Sequence, residues 1–275
     1  MQNQCSSPNE SINADVIPKA EDVECERPPQ YSMTRVPRGI CLIVNNITFT
    51  QGRRLKKRKG SKVDEVNLKC VFEYLGFLVE VKRNQTSQEM KDVMSDMQKR
   101  DHTEYDCFVC CILSHGGLGT VAGSDGETCN IIELADGLRP DKCESLSRKP
   151  KVFFIQACRN YKQTEEDKLT PENNPSVPDF LLGYATTPLA KAKRNRKHGS
   201  YFIRNLTKAL EERHHTDHIL DILTHVNYEV SKITSRRIAS FKITSCKKTS
   251  GGGGQVPSPQ YTLTKRLYFP GLEID

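Results

Sequence analysis

The sequence predicts an α/β protein built on a mostly parallel six-stranded sheet with helices on both faces. Three observations predict it. Runs at 39–44, 107–113 and 151–156 are almost continuously apolar and rich in Val, Ile, Phe and Cys, the pattern of strands buried on both sides. Segments of helical period separate many of the strands, as the crossovers between parallel strands require. Two of the runs stop abruptly at reactive side chains, Ser114-His115-Gly116-Gly117 and Ala157-Cys158-Arg159, which is how ligand-bearing strands end at the carboxyl edge of an open sheet.

Taken in order, residues 1–36 are polar and proline-containing without periodicity, and read as a flexible leader. Residues 39–44 form the first strand. A basic loop over 52–62 leads to a helix over 63–75 that places Val63, Val66, Cys70, Val71 and Tyr74 on one face and stops before Gly76, a cap. A short strand follows at 77–81. Thr86 and Glu89 have capping-box spacing and open a second helix with Met90, Val93, Met94 and Met97 along one stripe, which is core packing. Strands at 107–113 and 151–156 follow, separated by a segment, 121–150, that holds a small strand pair and a short helix.

Residues 161–179 are acidic, polar and proline-containing, an exposed linker that divides a large portion, 37–160, from a small one, 180–275. The small portion opens with a strand at 180–186 and continues with helices at 200–213 and 217–231, the second burying Ile219, Ile222, Leu223, Val226 and Val230. A long loop at 232–258 containing Gly251-Gly252-Gly253-Gly254 leads to a last strand through Tyr261, Leu263 and Leu267.

A chain of 275 residues with 36% hydrophobic content can bury one large core. It has no apolar run approaching about 18 residues and no charged-then-apolar amino-terminal signal, which predicts neither membrane insertion nor secretion, and a cytosolic or nuclear location. The eleven cysteines are odd in number, and Cys41, Cys70, Cys107 and Cys111 sit inside strand or helix patterns, so reduced core thiols are expected. Cys107 and Cys110 form a C-x-x-C pair within a strand, without a second pair or histidines at ligand spacing, so neither a metal nor another cofactor is expected. The net charge of +7 concentrates in Arg53-Arg54-Leu55-Lys56-Lys57-Arg58-Lys59 and Lys191-Ala192-Lys193-Arg194-Asn195-Arg196-Lys197. No nucleic-acid recognition motif accompanies these clusters, so no nucleic-acid partner is expected.

Should the strands ending at His115 and Cys158 be parallel neighbours, the two side chains meet at one edge. An adjacent imidazole favours the thiolate and, once protonated, can protonate a leaving amine. Gly116 lets the backbone approach a ligand closely, so the N–H groups of Gly116 and Cys158 are candidate donors to an oxyanion.

Gln156-Ala157-Cys158-Arg159 matches the first four positions of the signature Gln-Ala-Cys-(Arg/Gln/Gly)-Gly found in caspases, whose His lies about 50 residues upstream. His115 lies 43 residues before Cys158. Pro37-Arg38-Gly39-Ile40-Cys41-Leu42-Ile43-Val44-Asn45-Asn46, Asp106-Cys107-Phe108-Val109-Cys110-Cys111-Ile112-Leu113-Ser114-His115-Gly116, Phe180-Leu181-Leu182-Gly183-Tyr184-Ala185-Thr186 and Val226-Asn227-Tyr228-Glu229-Val230-Ser231 extend the likeness. Over residues 37–270 the chain resembles the caspases, above all the caspase-8 and caspase-10 group.

The resemblance implies a caspase-like (caspase–hemoglobinase) fold and a cysteine endopeptidase of apoptosis-type signalling that cleaves protein substrates after Asp, with Cys158 as nucleophile and His115 as acid and base. It implies a homodimer of large and small subunit pairs joined along the final strand at 261–267, with other caspases or adaptors as further partners. Its P1 pocket would be made by Arg58, two residues before Gly60-Ser61, by Gln156, and by Arg194-Asn195 ahead of Gly199-Ser200-Tyr201. Guanidinium forks suit a carboxylate, unlike the acidic pockets that metacaspases and paracaspases need for basic residues. Processing is expected in the linker at Asp167, after Thr164-Glu165-Glu166; Asp179, beside Pro178, is the less accessible alternative. Asn160 stands where the family has Gly, Lys191 and Lys193 where it has apolar or aromatic residues, and Tyr201 where it has Trp. A catalytically silent regulator is the competing reading; retention of His115, Cys158 and the pocket residues favours the enzyme.

Overall fold

The computed structural model describes residues 27–50, 55–159, 177–244 and 254–271. β1 (Gly39–Asn45) leads through α1 (Ser61–Tyr74) to β2 (Leu78–Arg83), and α2 (Ser87–Lys99) carries the chain to β3 (Cys107–Leu113). A small antiparallel sheet of β4 (Gly116–Gly117), β5 (Thr120–Ala122) and β6 (Thr128–Asn130), then α3 (Ile131–Asp136), precede β7 (Lys151–Gln156). After β8 (Phe180–Tyr184) come a hairpin of β9 (Arg194–Asn195) and β10 (Gly199–Ser200), α4 (Tyr201–Arg213), α5 (Ile219–Thr244) and β11 (Ser258–Tyr261). The six-stranded sheet has the order β11-β8-β7-β3-β1-β2 and is parallel except where β11 meets β8.

Every residue of β1, β3 and β7 is buried, so alternate side chains enter two different cores. Cys41, Ile43, Val109, Cys111 and Phe154 pack with residues of α1, α4 and α5. Ile40, Leu42, Phe108, Ile112 and Phe153 pack with residues of α2 and α3. Burial on both faces removes the need for polar alternation, which is why these runs look uniformly apolar in the sequence. The capping box at the start of α2 is present: Thr86 Oγ1 accepts the Glu89 N–H at 3.2 Å, and the Glu89 carboxylate accepts the Thr86 N–H at 2.7 Å. The stripe of Met90, Val93, Met94 and Met97 is buried.

Three expectations are corrected. The buried face of α1 is Ser61, Asp64, Glu65, Leu68, Val71 and Phe72, while Val66 and Tyr74 are 47% and 41% exposed and Cys70 is exposed as well. Val71 apart, the apolar period marks a different face, because two carboxylates occupy the buried one, each with partners. Asp64 accepts the Ser200 N–H at 2.7 Å; Glu65 receives Arg83 at 2.7 Å, Asn45 at 2.9 Å and Lys62 at 2.5 Å. Second, α5 runs on to Thr244 through the expected loop, since no Gly or Pro interrupts residues 217–250. Buried Thr234 ties it down, donating to Val230 O at 2.9 Å and accepting the Gln255 N–H at 2.9 Å. Third, the last strand is Ser258–Tyr261; Leu267 is a core residue beyond it, next to the bridge between Gln30 and Arg266.

Of the expected leader, residues 27–36 are described, and within them Tyr31 and Met33 are buried. Tyr31 Oη donates to Asp179 Oδ1 at 2.6 Å, and Thr264 Oγ1 donates to the same oxygen at 2.7 Å. Asp179 is thus held in the fold, 4% exposed, at the entrance to β8. Asp167 and Asn160 lie outside the described residues.

Candidate active site

β3 and β7 are parallel neighbours with Leu113 opposite Gln156. Ser114-His115 and Ala157-Cys158 therefore leave adjacent strands in step, two residues beyond a paired position, at the carboxyl edge of the sheet. The Ser114 N–H donates to Gln156 O at 3.3 Å, extending the pairing past the strand ends. Gly116 follows, and its bareness has a steric cause. A Cβ there would lie 2.4 Å from Thr120 O, 3.0 Å from Ala157 Cβ and 3.2 Å from Cys158 O, so glycine alone brings this backbone against the Cys158 segment.

His115 Nε2 lies 2.7 Å from the main-chain oxygen of Lys56, and the ring packs at 4.9 Å from that of Phe49. A carbonyl only accepts, so Nε2 carries the proton and the neutral ring keeps its free lone pair on Nδ1. Burial lowers the imidazole pKa below its ordinary value, and the charges of Arg58 and Arg194 lower it further, against the raising effect of the Lys56 carbonyl. Half-buried Cys158 has its Sγ 3.9 Å from Ala192 O.

Arg58 is fully buried beside this pair. Its Nη1 donates to Ser61 Oγ at 2.7 Å, Asn46 O at 3.1 Å and Asn45 Oδ1 at 3.5 Å, and its Nη2 to Gln156 O at 3.4 Å. Arg58 Nε and Gln156 Oε1 are buried without a hydrogen-bond partner. Arg194 Nε donates to Lys59 O at 3.0 Å. Burial and the charge of Arg194 push the Arg58 guanidinium down to about 9, with Asp64 pulling the other way. Burial likewise lowers Arg194 and raises Asp64, the latter to about 6. Two guanidinium groups crowded out of water favour an anion between them.

Glycines lock the two arginine segments together. Gly60 has φ 89°, and a Cβ on it would lie 2.4 Å from Asn195 O; Gly199 has φ 76°, and its Cβ would lie 2.2 Å from Asp64 Oδ1. The Asn195 side-chain oxygen accepts the N–H groups of Lys197 at 2.8 Å and His198 at 3.1 Å, so this residue closes the hairpin that presents Arg194. Lys193 N–H donates to Gln255 Oε1 at 2.7 Å, Lys191 is exposed, and Tyr201 is buried at the start of α4.

Sequence reasoning missed the Lys56 carbonyl, which carries no side-chain signal because any residue type supplies one. It also missed Asp64, Asn45 and Ser61. For Asp64 a signal existed: with Ser61, Leu68 and Val71 it follows helical spacing, which marks a carboxylate on a buried face. Among the described residues no group of His, Cys, Asp and Glu is arranged to hold a metal ion, and no helix is long and apolar enough to cross a membrane.

A thiol and an imidazole at one edge of a parallel sheet, flanked by one fully buried and one half-buried guanidinium, define a cysteine-hydrolase type of site on an α/β scaffold. Residues 38–268 match the family model of the caspase domain, and the chain belongs to the caspase family. It is similar to caspase-8 of Mus musculus, at 37% identity over 92% of this chain and 55% of that protein, and to caspase-8 of Rattus norvegicus, at 35% over 98% and 57%. It is also similar to caspase-3 of Bos taurus, at 36% identity over 87% of both chains. The chain thus spans a little over half the length of these caspase-8 relatives. The α/β caspase-like fold and the kinship with the caspase-8 group agree with what the sequence implies.

Proposed function

We propose that the protein is a cysteine endopeptidase that cuts polypeptides after Asp, in proteolytic signalling of the apoptotic type. The observation that carries this reading is the pairing of Leu113 with Gln156, which delivers His115 and Cys158 together beside Arg58 and Arg194. Arg58, Arg194 and the unpartnered Gln156 Oε1 form the P1 pocket. The two guanidiniums bind the Asp carboxylate, and Asn195 shapes the hairpin that carries the second one.

The reaction proceeds by acyl transfer. Cys158 Sγ gives its proton to His115 Nδ1 and attacks the carbonyl carbon of the bond after Asp, and the N–H groups of Gly116 and Cys158 stabilise the oxyanion. His115 delivers a proton to the leaving amine nitrogen, the C–N bond breaks and a thioester remains. Water attacks the thioester carbonyl as His115 Nδ1 takes its proton, and the thiol is released with a carboxylate product. The Lys56 carbonyl holds the Nε2–H throughout and orients the ring.

The residue boundaries 37–160 and 180–275 are proposed as large and small subunits separated by cleavage after Asp167. Burial of Asp179 against Tyr31 and Thr264 supports Asp167 over the alternative. β11 is an edge strand, paired on one side by β8, and supports a homodimer joined along that edge. Treatment with a peptide fluoromethyl ketone ending in Asp, followed by peptide mass mapping, tests the assignment. The adduct is expected on Cys158, and labelling elsewhere refutes it.

A further inference from the structure

The walls of the cleft carry an unbalanced charge. The sequence from 47 to 63, which includes Arg58, contains no Asp or Glu, and neither does the sequence from 185 to 210, which includes Arg194. The two walls touch through the bond from Arg194 Nε to Lys59 O and through Gly60 against Asn195. Lys56 supplies the carbonyl that holds His115, and the Ala192 carbonyl lies 3.9 Å from Cys158 Sγ. Lys56, Lys57, Lys191, Arg196 and Lys197 thus lie on the two segments that reach the catalytic pair, and all five are exposed. None of the five forms an ion pair with a described residue. Asp64, the carboxylate that acts on Arg58 and Arg194, is fully buried and accepts the Ser200 N–H.

Arg58 and Arg194 account for a P1 carboxylate, but not for the cations outside them. Lys193 immediately precedes Arg194, and Lys191 precedes Ala192, so both border the path of the substrate residue that comes just before the cleaved Asp. On the reading that this cleft is an Asp-directed protease site, we propose that Lys191 and Lys193, with Lys56 and Lys57 opposite, select substrates carrying Glu or Asp at that preceding position, P2. Single exposed ion pairs are weak, so the selection is a sum over several cations and is screened by salt. The chain's own Glu165-Glu166-Asp167 has this chemistry, with Glu166 at the P2 position.

The test compares Thr-Glu-Glu-Asp and Thr-Glu-Gln-Asp fluorogenic peptides, which differ only by one charge at P2. At low salt the wild-type protein is expected to cleave the Glu peptide with kcat/KM about tenfold higher, the ratio falling below about threefold in roughly 0.5 M NaCl. Lys191→Glu/Lys193→Glu should abolish or invert the ratio. Arg148→Glu/Lys265→Glu changes net charge equally, but in a separate polar cleft lined by Tyr31, Arg35 and Lys149, and should leave the ratio intact. A wild-type ratio near one, a ratio indifferent to Lys191→Glu/Lys193→Glu, or an equal loss in the distant variant overturns the inference while leaving the Asp-directed protease standing. Failure to cleave either peptide, or any other Asp peptide, overturns both.

Discussion

His115 Nε2 sits 2.7 Å from the main-chain oxygen of Lys56, a contact spanning 59 residues that ties the imidazole to the loop bearing Arg58. The ring is thereby fixed in one tautomer, and its free nitrogen is the one available for proton transfer. His115→Ala should lower turnover of Asp peptides by about a hundredfold or more, since positioned proton transfer contributes 10²–10⁴. Iodoacetamide should still label Cys158 in that variant, but more slowly. Labelling as fast as in the wild type would show that His115 does not activate the thiol.

Burial and the charges of Arg58 and Arg194 hold His115 below its ordinary value of 6.5. A base with a lowered pKa stays neutral to lower pH, so activity should persist as the solution is acidified past that point. The acid limb of the kcat/KM profile is expected below pH 6.5. A limb above it would contradict the electrostatic account of the ring.

Gly116→Ala places a methyl group 2.4 Å from Thr120 O and 3.2 Å from Cys158 O. The backbone beside the nucleophile must shift to admit it. We expect kcat to fall at least about tenfold, approaching the roughly 10²–10³ lost when an oxyanion donor is removed. Thiol alkylation should persist, because the substitution removes neither His115 nor Cys158. Unchanged kcat would remove Gly116 from the oxyanion site.

Much of this arrangement was legible from the sequence, for identifiable reasons. β1, β3 and β7 announced themselves because strands buried on both faces need nothing but apolar side chains, and the stops at His115 and Cys158 broke that rule. The buried face of α1 defies its apolar period because Asp64 and Glu65 are buried with partners contributed by Ser200 and Arg83, on other elements of the fold. Sequence period reports hydrophobicity, not tertiary pairing. The length of α5 departs from expectation in the opposite sense: its second half is polar enough to resemble a loop, yet no Gly or Pro in it terminates a helix. The Lys56 carbonyl was beyond sequence reading altogether.

Arg194→Ala should lose cleavage of Asp peptides by at least about a hundredfold, because hydrogen bonds to a charged group contribute about 1.5–3 kcal/mol each and a guanidinium fork makes two. Alkylation of Cys158 should be far less affected. Arg194→Lys should recover only part of the loss, since an ammonium cannot reproduce the planar fork. Full recovery with lysine would mean that charge alone, and not bidentate geometry, holds the substrate.

The Glu65 carboxylate binds Arg83, Lys62 and Asn45 beneath α1. Burial alone would raise its pKa, but these partners together hold it down to about 2, against 4.5 for a free carboxyl. A carboxylate with a lowered folded value stabilises the protein above its unfolded value, and that contribution drains away as pH falls from 4.5 towards about 2. Glu65→Gln should cost about 2 kcal/mol in urea denaturation at neutral pH, with the difference from wild type narrowing as pH drops below about 4.5. A gap that stays constant across that range would exclude the ionised cluster as its source.

Cleavage after Asp167 should yield two fragments on expression, the smaller beginning at Lys168. Amino-terminal sequencing checks the position, and a start elsewhere refutes it. Cys158→Ala protein should remain a single chain; processing that persists in this variant would belong to another protease.

The most direct test of the central claim is the hydrolysis of a matched pair of peptides, identical but for Asp or Asn at the cleaved position, by wild-type and Cys158→Ala proteins. The account predicts rapid cleavage of the Asp peptide by the wild type, a loss of at least about a hundredfold with Asn because the charge-assisted bonds to Arg58 and Arg194 are gone, and no turnover of either peptide by Cys158→Ala. Equal rates for Asp and Asn, or residual turnover by the Cys158→Ala protein, would contradict it.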